Sequence, residues 1–239
     1  MRLLLLFLAL AACSGTASPP VNSEKARLGT EAETPGDWIV LFDGTSLDGW
    51  RGYNREDIPP AWSLEDGALT FTPGGEGGDL VAPGLYEDFE LVLEWRVGAC
   101  GNSGILYHIE ETEALRASWQ TGLEMQILDD TCHSDARYPS HRAGALYDLY
   151  VPTIAAARPA GEWNEARIRV EDGTITHVVN GETLVTAERG SADWQARVAA
   201  SKFRDEAKFP RFGTRTSGAL ALQDHGDPVA YRDIRIRRL

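Results

Sequence analysis

Between Gly122 and Asp135 the chain reads Gly-Leu-Glu-Met-Gln-Ile-Leu-Asp-Asp-Thr-Cys-His-Ser-Asp. Leu123, Met125 and Ile127 fall on one side of an extended strand, Glu124 and Gln126 on the other. A strand divided this way packs a core with one face. Its other face offers a groove a carboxylate, able to carry a proton, next to an amide, able to hold a polar ligand. The turn that follows crowds Asp129, Asp130, Cys132, His133 and Asp135 together. The chemistry of the chain is expected to gather on this stretch.

The same parity selects other groups. In Phe89–Val97 the residues Glu90, Val92, Glu94 and Arg96 stand opposite Phe89, Leu91, Leu93, Trp95 and Val97. Near the C-terminus Ala221, Gln223 and His225 part from Leu220, Leu222 and Asp224, the last at a strand end where alternation is lost. Glu94, Arg96, Glu124, Gln126, Gln223 and His225 are therefore candidates for one groove. Each also has a plainer reading. Glu94 and Arg96 fit an ion pair on a strand surface, and the two glutamines fit structural hydrogen bonding. His133 reads equally as a solvated loop residue, and His177 as structural. Trp119 and Trp163 could stack on a sugar face or be buried.

The elements that must position these groups are short strands. Asp66-Gly67, Asp172-Gly173 and Asn180-Gly181 are hairpin dipeptides between apolar runs, and Ala166–Val185 reads as a three-strand meander. Helical periodicity is confined to Ser191–Ala200 and, more weakly, Glu111–Ala117. Many strands with turn signals at short intervals predict an all-β sandwich with short helices only. The glycine-rich loop Pro73–Gly78 lacks GxGxxG spacing and a following helix, so it is not a phosphate cradle, and no nucleotide or organic cofactor is expected.

Arg2 precedes the apolar run Leu3–Ala12, which is shorter than the roughly 20 residues a spanning helix needs and has the character of an export signal. Its ending, Leu10-Ala11-Ala12-Cys13, resembles a bacterial lipobox, implying a signal peptide over 1–12 and a lipid on Cys13. Residues 13–36 then read as a disordered tether and 37–239 as one folded domain. The expected location is a lipid-anchored periplasmic or cell-surface protein that meets the membrane only through Cys13. With Cys13 acylated, Cys100 and Cys132 remain as a disulfide pair in an oxidising compartment; the competing reading makes them zinc ligands with His133. Acidic residues number 36 against 23 basic, a net charge of −13, which disfavours nucleic acid and anionic lipid and suits a neutral substrate such as a sugar.

A series of phrases resembles one family: Leu41-Phe42-Asp43-Gly44, Leu47-Asp48-Gly49-Trp50, Glu94-Trp95-Arg96, Asn102-Ser103-Gly104, Ala143-Gly144-Ala145-Leu146-Tyr147-Asp148, Gly161-Glu162-Trp163-Asn164 and Leu222-Gln223-Asp224-His225-Gly226. Together they are similar to the 3-keto-disaccharide hydrolase domain, a concanavalin-like jelly roll. The resemblance implies cleavage of glycosides already oxidised at carbon 3, and hence a sugar 3-dehydrogenase acting upstream. The ketone acidifies the proton on carbon 2, so a base can remove it and the group on carbon 1 can leave. Glu124 is the candidate base and His225 the candidate acid, with His133 as its alternative. Arg96 or a divalent cation would stabilise the oxyanion. Asn102, Tyr147, Asp148, Lys202 and Asp224 complete the substrate-binding candidates. Two rival readings use the same residue types: a two-carboxylate glycosidase built on Glu94 and Glu124, and a lectin-like module that binds without cleaving.

Overall fold

The computed structural model describes residues 36–239. The expectations for the signal peptide, for Cys13 and for all but the last residue of the tether lie outside that range.

Two antiparallel sheets face each other across an apolar core. The larger follows the order β11 (Glu182–Glu188), β10 (Thr174–Val179), β9 (Asn164–Glu171), β6 (Phe89–Val97), β13 (Val229–Arg238), β4 (Ala68–Phe71), β3 (Trp62–Glu65), with β1 (Ile39–Phe42) also paired to β13. The smaller is β2 (Arg51–Gly52), β5 (Leu80–Val81), β12 (Ala219–Leu222), β7 (Asn102–Ile109), β8 (Leu123–Leu128). Both sheets' inward residues, among them Trp95, Tyr231, Ile168, Met125, Ile127 and Leu220, join one buried cluster. The all-β sandwich predicted from alternation is the fold observed.

Local chemistry explains the details. Asn180 and Gly181 turn with φ of 51° and 85°, the left-handed pair that a two-residue hairpin requires. Among the described residues the single α-helix, α1 (Ala192–Ala200), starts at Ser191, whose Oγ accepts the Trp194 amide at 3.1 Å. The second expected helix, Glu111–Ala117, is a turn and irregular chain. Cys100 and Cys132 form a disulfide with α-carbons 4.7 Å apart, which removes the zinc reading. The bond staples the turn after β8 to the connection between β6 and β7.

The two sheets treat their outer faces differently. β9 alternates buried and half-exposed residues, as a solvent-facing sheet should. By contrast every residue of β7, β8 and β12 is buried. Parity correctly divides Glu124 and Gln126 from the core residues of β8, but the face they occupy is roofed by loops. That roof encloses the candidate site.

Candidate functional site

The outer face of the smaller sheet is laid out in rows by strand register. Val81, Ala221, Leu106 and Glu124 stand opposite one another across β5, β12, β7 and β8. The next row runs from Gln223, whose amide donates to Gly104 O at 2.9 Å, through Gly104 to Gln126. Gly104 has no side chain at the middle of that row, and a β-carbon there would run into the Glu124 carboxylate. The Glu124 carboxylate takes up that gap and lines a cavity of about 210 Å³. Asn102, Glu124, Gln126 and Gln223 reach it from the sheet, and Trp119, Tyr147, Lys202, Lys208, Phe209, Asp224 and His225 from the loops.

Glu124 is the chemical centre of this space. Its side chain accepts no hydrogen bond and forms no salt bridge among the described residues, while only 8% of its surface is exposed. Burial pushes its proton affinity up to about 8, with the nearby Asp79 charge adding to the rise and Lys202 opposing it. Lys202 sits at the exposed rim with its ammonium 4.2 Å from the centre of the Tyr147 ring, and desolvation lowers its own proton affinity. Lys202 is held from behind: Asp148, in left-handed backbone at φ 59°, accepts the Lys202 amide at 3.0 Å and pairs with His141 Nε2 at 3.1 Å.

The amides mark the cavity as a place for a polar ligand. Gln126 Nε2 donates to Asn102 Oδ1 at 2.6 Å, which fixes the flipped state of both amides and turns Gln126 Oε1 away from them. Gln126 Oε1 and Gln223 Oε1 are both buried without a partner. Two orphaned acceptors on one cavity wall are costly unless a donor such as a sugar hydroxyl meets them. His225 reaches the same space on the loop after β12, with Nε2 3.4 Å from Asn102 Nδ2.

The structure separates the sequence candidates. Asn102, Glu124, Gln126, Tyr147, Lys202, Gln223, Asp224 and His225 line one cavity; Asp148 stands behind it. Glu94 and Arg96 do not belong to it. They lie on the outer face of the larger sheet, where Glu94 accepts Arg232 Nε at 2.5 Å and Arg96 stacks 4.8 Å from the Trp163 ring. Parity had placed them opposite the core, which is correct, but parity carries no information about which sheet a strand joins. Arg96 is thereby removed as the oxyanion cation, and Glu94 cannot flank a bond with Glu124, which removes the two-carboxylate pairing. Trp163 is clamped between Arg96 and Arg232 and takes no part in the cavity.

The acidic turn after β8 is likewise not a site. Asp129 accepts the amides of Cys100 and Thr131, Asp130 accepts the Ala143 amide, and His133 Nδ1 accepts the Asp135 amide. His133 lies near His225, ring centres 6.3 Å apart, outside the cavity lining. His177 is fully buried, donating Nδ1–H to Gly144 O and accepting the Tyr107 hydroxyl at Nε2. Among the described residues the one close group of three ligand-type side chains is Cys100, Asp129 and Cys132, whose sulfurs are bonded to each other. Within the cavity Asp224 spends Oδ2 on the Gly78 amide and Oδ1 on the Gly226 amide, so the donors a cation there would meet are Glu124, His225 and the unpartnered amide oxygens of Gln126 and Gln223.

Known proteins place these features in context. The profile of the 3-keto-alpha-glucoside-1,2-lyase-like domain matches residues 37–237. A 3-keto-disaccharide hydrolase of Bacteroides thetaiotaomicron is 34% identical over 228 residues, covering 84% of this chain and 78% of that protein. A crystal structure of a candidate glycosyl hydrolase from Parabacteroides distasonis superposes with a TM-score of 0.78 at 35% identity, covering 84% of this chain and 94% of the other. A Bacillus subtilis protein with a galectin-like fold reaches a TM-score of 0.57 at 12% identity over 87% of this chain and 97% of its own, a likeness of fold alone.

Proposed function

Because the chain belongs to the 3-keto-alpha-glucoside-1,2-lyase-like domain family, we propose that it cleaves glycosides whose sugar carries a ketone at carbon 3. The observation that carries this reading is the buried, unpartnered Glu124 carboxylate beside Lys202, in a cavity whose amide oxygens Gln126 Oε1 and Gln223 Oε1 await donors. A raised carboxylate is a stronger base than one in water, which suits removal of a proton from carbon.

In the proposed sequence Glu124 takes the proton from carbon 2, and the electron pair moves onto the carbon 3 oxygen as an enolate. Lys202 supplies the cation facing that oxygen, the part Arg96 cannot play. Collapse of the enolate breaks the bond from carbon 1 to the leaving oxygen and forms the double bond between carbons 1 and 2. His225 gives the leaving oxygen its proton. If water then adds at carbon 1 and Glu124 returns the proton to carbon 2, the net reaction is hydrolysis; without that step it is elimination. The lectin-like alternative would need the same hydrogen bonds but has no use for a carboxylate held above its ordinary proton affinity. A sugar 3-dehydrogenase must act upstream to make such a substrate.

The experiment offers purified protein a glucoside and its 3-keto derivative side by side, with and without chelator. Cleavage confined to the 3-keto compound is expected. Equal cleavage of both compounds, or binding of both and cleavage of neither, overturns the reading.

The N-terminal sequence adds the proposal that the domain works outside the cytoplasm on a lipid anchor. Mass spectrometry of the native protein should find an acylated Cys13, and Cys13→Ala should leave the membrane fraction. An unmodified N-terminus at another residue would contradict the anchor.

A further inference from the structure

Two loops carry walls of the cavity, and one buried carboxylate outside it ties both. Asp79, directly before β5, is 8% exposed. Its Oδ1 accepts the Asp224 amide at 3.0 Å, at the start of the loop that brings His225 to the cavity. Its Oδ2 accepts the Ser118 hydroxyl, and Ser118 opens the 3₁₀ turn Ser118–Gln120 that brings Trp119 to the same cavity. Asp79 itself does not line the cavity. These contacts join segments 145 and 39 residues apart in the chain. A second strut supports the first: Asp224 Oδ2 accepts the Gly78 amide at 2.7 Å, one residue before Asp79.

We propose that Asp79 is the positioning residue of this cavity, a two-armed clamp that sets His225 through Asp224 and Trp119 through Ser118. The carboxylate suits the task because both oxygens accept and neither needs a proton. A carboxylate buried at this depth is costly unless both its oxygens are paired, and here both are. The placement also explains how an exposed histidine on a loop keeps a defined position: its neighbour's backbone is bound to an interior group. The catalytic meaning of the clamp rests on the proposed function of the cavity, whereas the clamp itself does not.

Substitutions separate the two. Asparagine can keep both arms, since its Oδ1 accepts the Asp224 amide while its Nδ2 donates to Ser118 Oγ, which turns to accept. Alanine keeps neither. Histidine NMR gives a readout independent of activity, because the chain has five histidines. In Asp79→Ala the His225 ring signals should move while those of buried His108 and His177 stay, and in Asp79→Asn all five should remain near wild type. On a 3-keto glycoside Asp79→Ala should lose kcat on the order of 100-fold by misplacement of His225, with Asp79→Asn close to wild type. Ser118→Ala cuts one arm, so it should move the Trp119 indole signal and KM but leave His225 and kcat unchanged.

The clamp is overturned if His225 keeps its signals in folded Asp79→Ala, or if Asp79→Asn is as damaged as Asp79→Ala. Should Asp79→Ala not fold, Ser118→Ala decides: an unmoved Trp119 signal, or a moved His225, refutes it. A wild type inactive on the 3-keto compound would sink the function and leave the NMR arms to judge the clamp.

Discussion

Glu124→Gln is expected to lower kcat on a 3-keto glycoside by about 100- to 10,000-fold, the usual cost of removing a general base. The amide keeps the shape of the side chain but has no basic oxygen. Substrate binding should change far less, because the hydroxyl partners Gln126 and Gln223 remain in place. Washout of the carbon 2 proton into heavy water should occur with wild type and vanish in the variant. The same substitution should stabilise the fold in alkali. Burial lifts the folded proton affinity of Glu124 to about 8, so the native chain holds this proton more tightly than the unfolded chain. That contribution is present in full below the unfolded carboxylate range and is lost as pH rises through about 8. Melting curves should therefore show Glu124→Gln above wild type at pH 9, with the gap closing toward pH 5. Full activity in Glu124→Gln would remove Glu124 as the base and make His225, which lines the same cavity, the next candidate.

What the sequence made legible follows from which forces are local. The alternation in Leu123–Leu128 is imposed by a core on one side, so it can be read without the fold and correctly set Glu124 apart from Met125. The identical alternation in Phe89–Val97 could not say that β6 lies in the opposite sheet, since sheet membership depends on pairing with β9 and β13 far along the chain. Glu94 and Arg96 therefore stand on a different sheet from Glu124 despite their shared parity. The acidic turn misled in a different way. Asp129 followed two residues later by Thr131 is a pattern in which a carboxylate caps its own turn, a local signal that was available and speaks for structure before chemistry. Lys208 and Phe209 lie in an irregular segment with no period, and nothing short of the folded chain brings them to Trp119. Asp79 was invisible because its partners are set by tertiary contact alone.

Lys202→Met should cost on the order of 100-fold in kcat near neutral pH, the loss typical when one group facing a developing oxyanion is removed. Methionine keeps an unbranched, apolar stem against the Tyr147 and Phe209 rings, so packing is retained while the charge is deleted. The pH profile should change as well as the rate. Lys202 holds the proton affinity of Glu124 down, and without it that affinity rises further. The acidic limb of the profile, where Glu124 must lose its proton, therefore moves to higher pH, and part of the lost activity returns in alkali. In the wild type desolvation lowers the Lys202 ammonium's own proton affinity, so activity should fall again at the alkaline end as that charge is lost. Lys202→Met has no such proton to lose, so its profile should lack the part of the alkaline fall that this ammonium causes. A mere packing role predicts a lower melting temperature with an unshifted profile, and that result would take the oxyanion assignment away from Lys202. Lys202→Arg should restore charge without restoring full rate, because a planar guanidinium cannot occupy the point position of an ammonium above the Tyr147 ring.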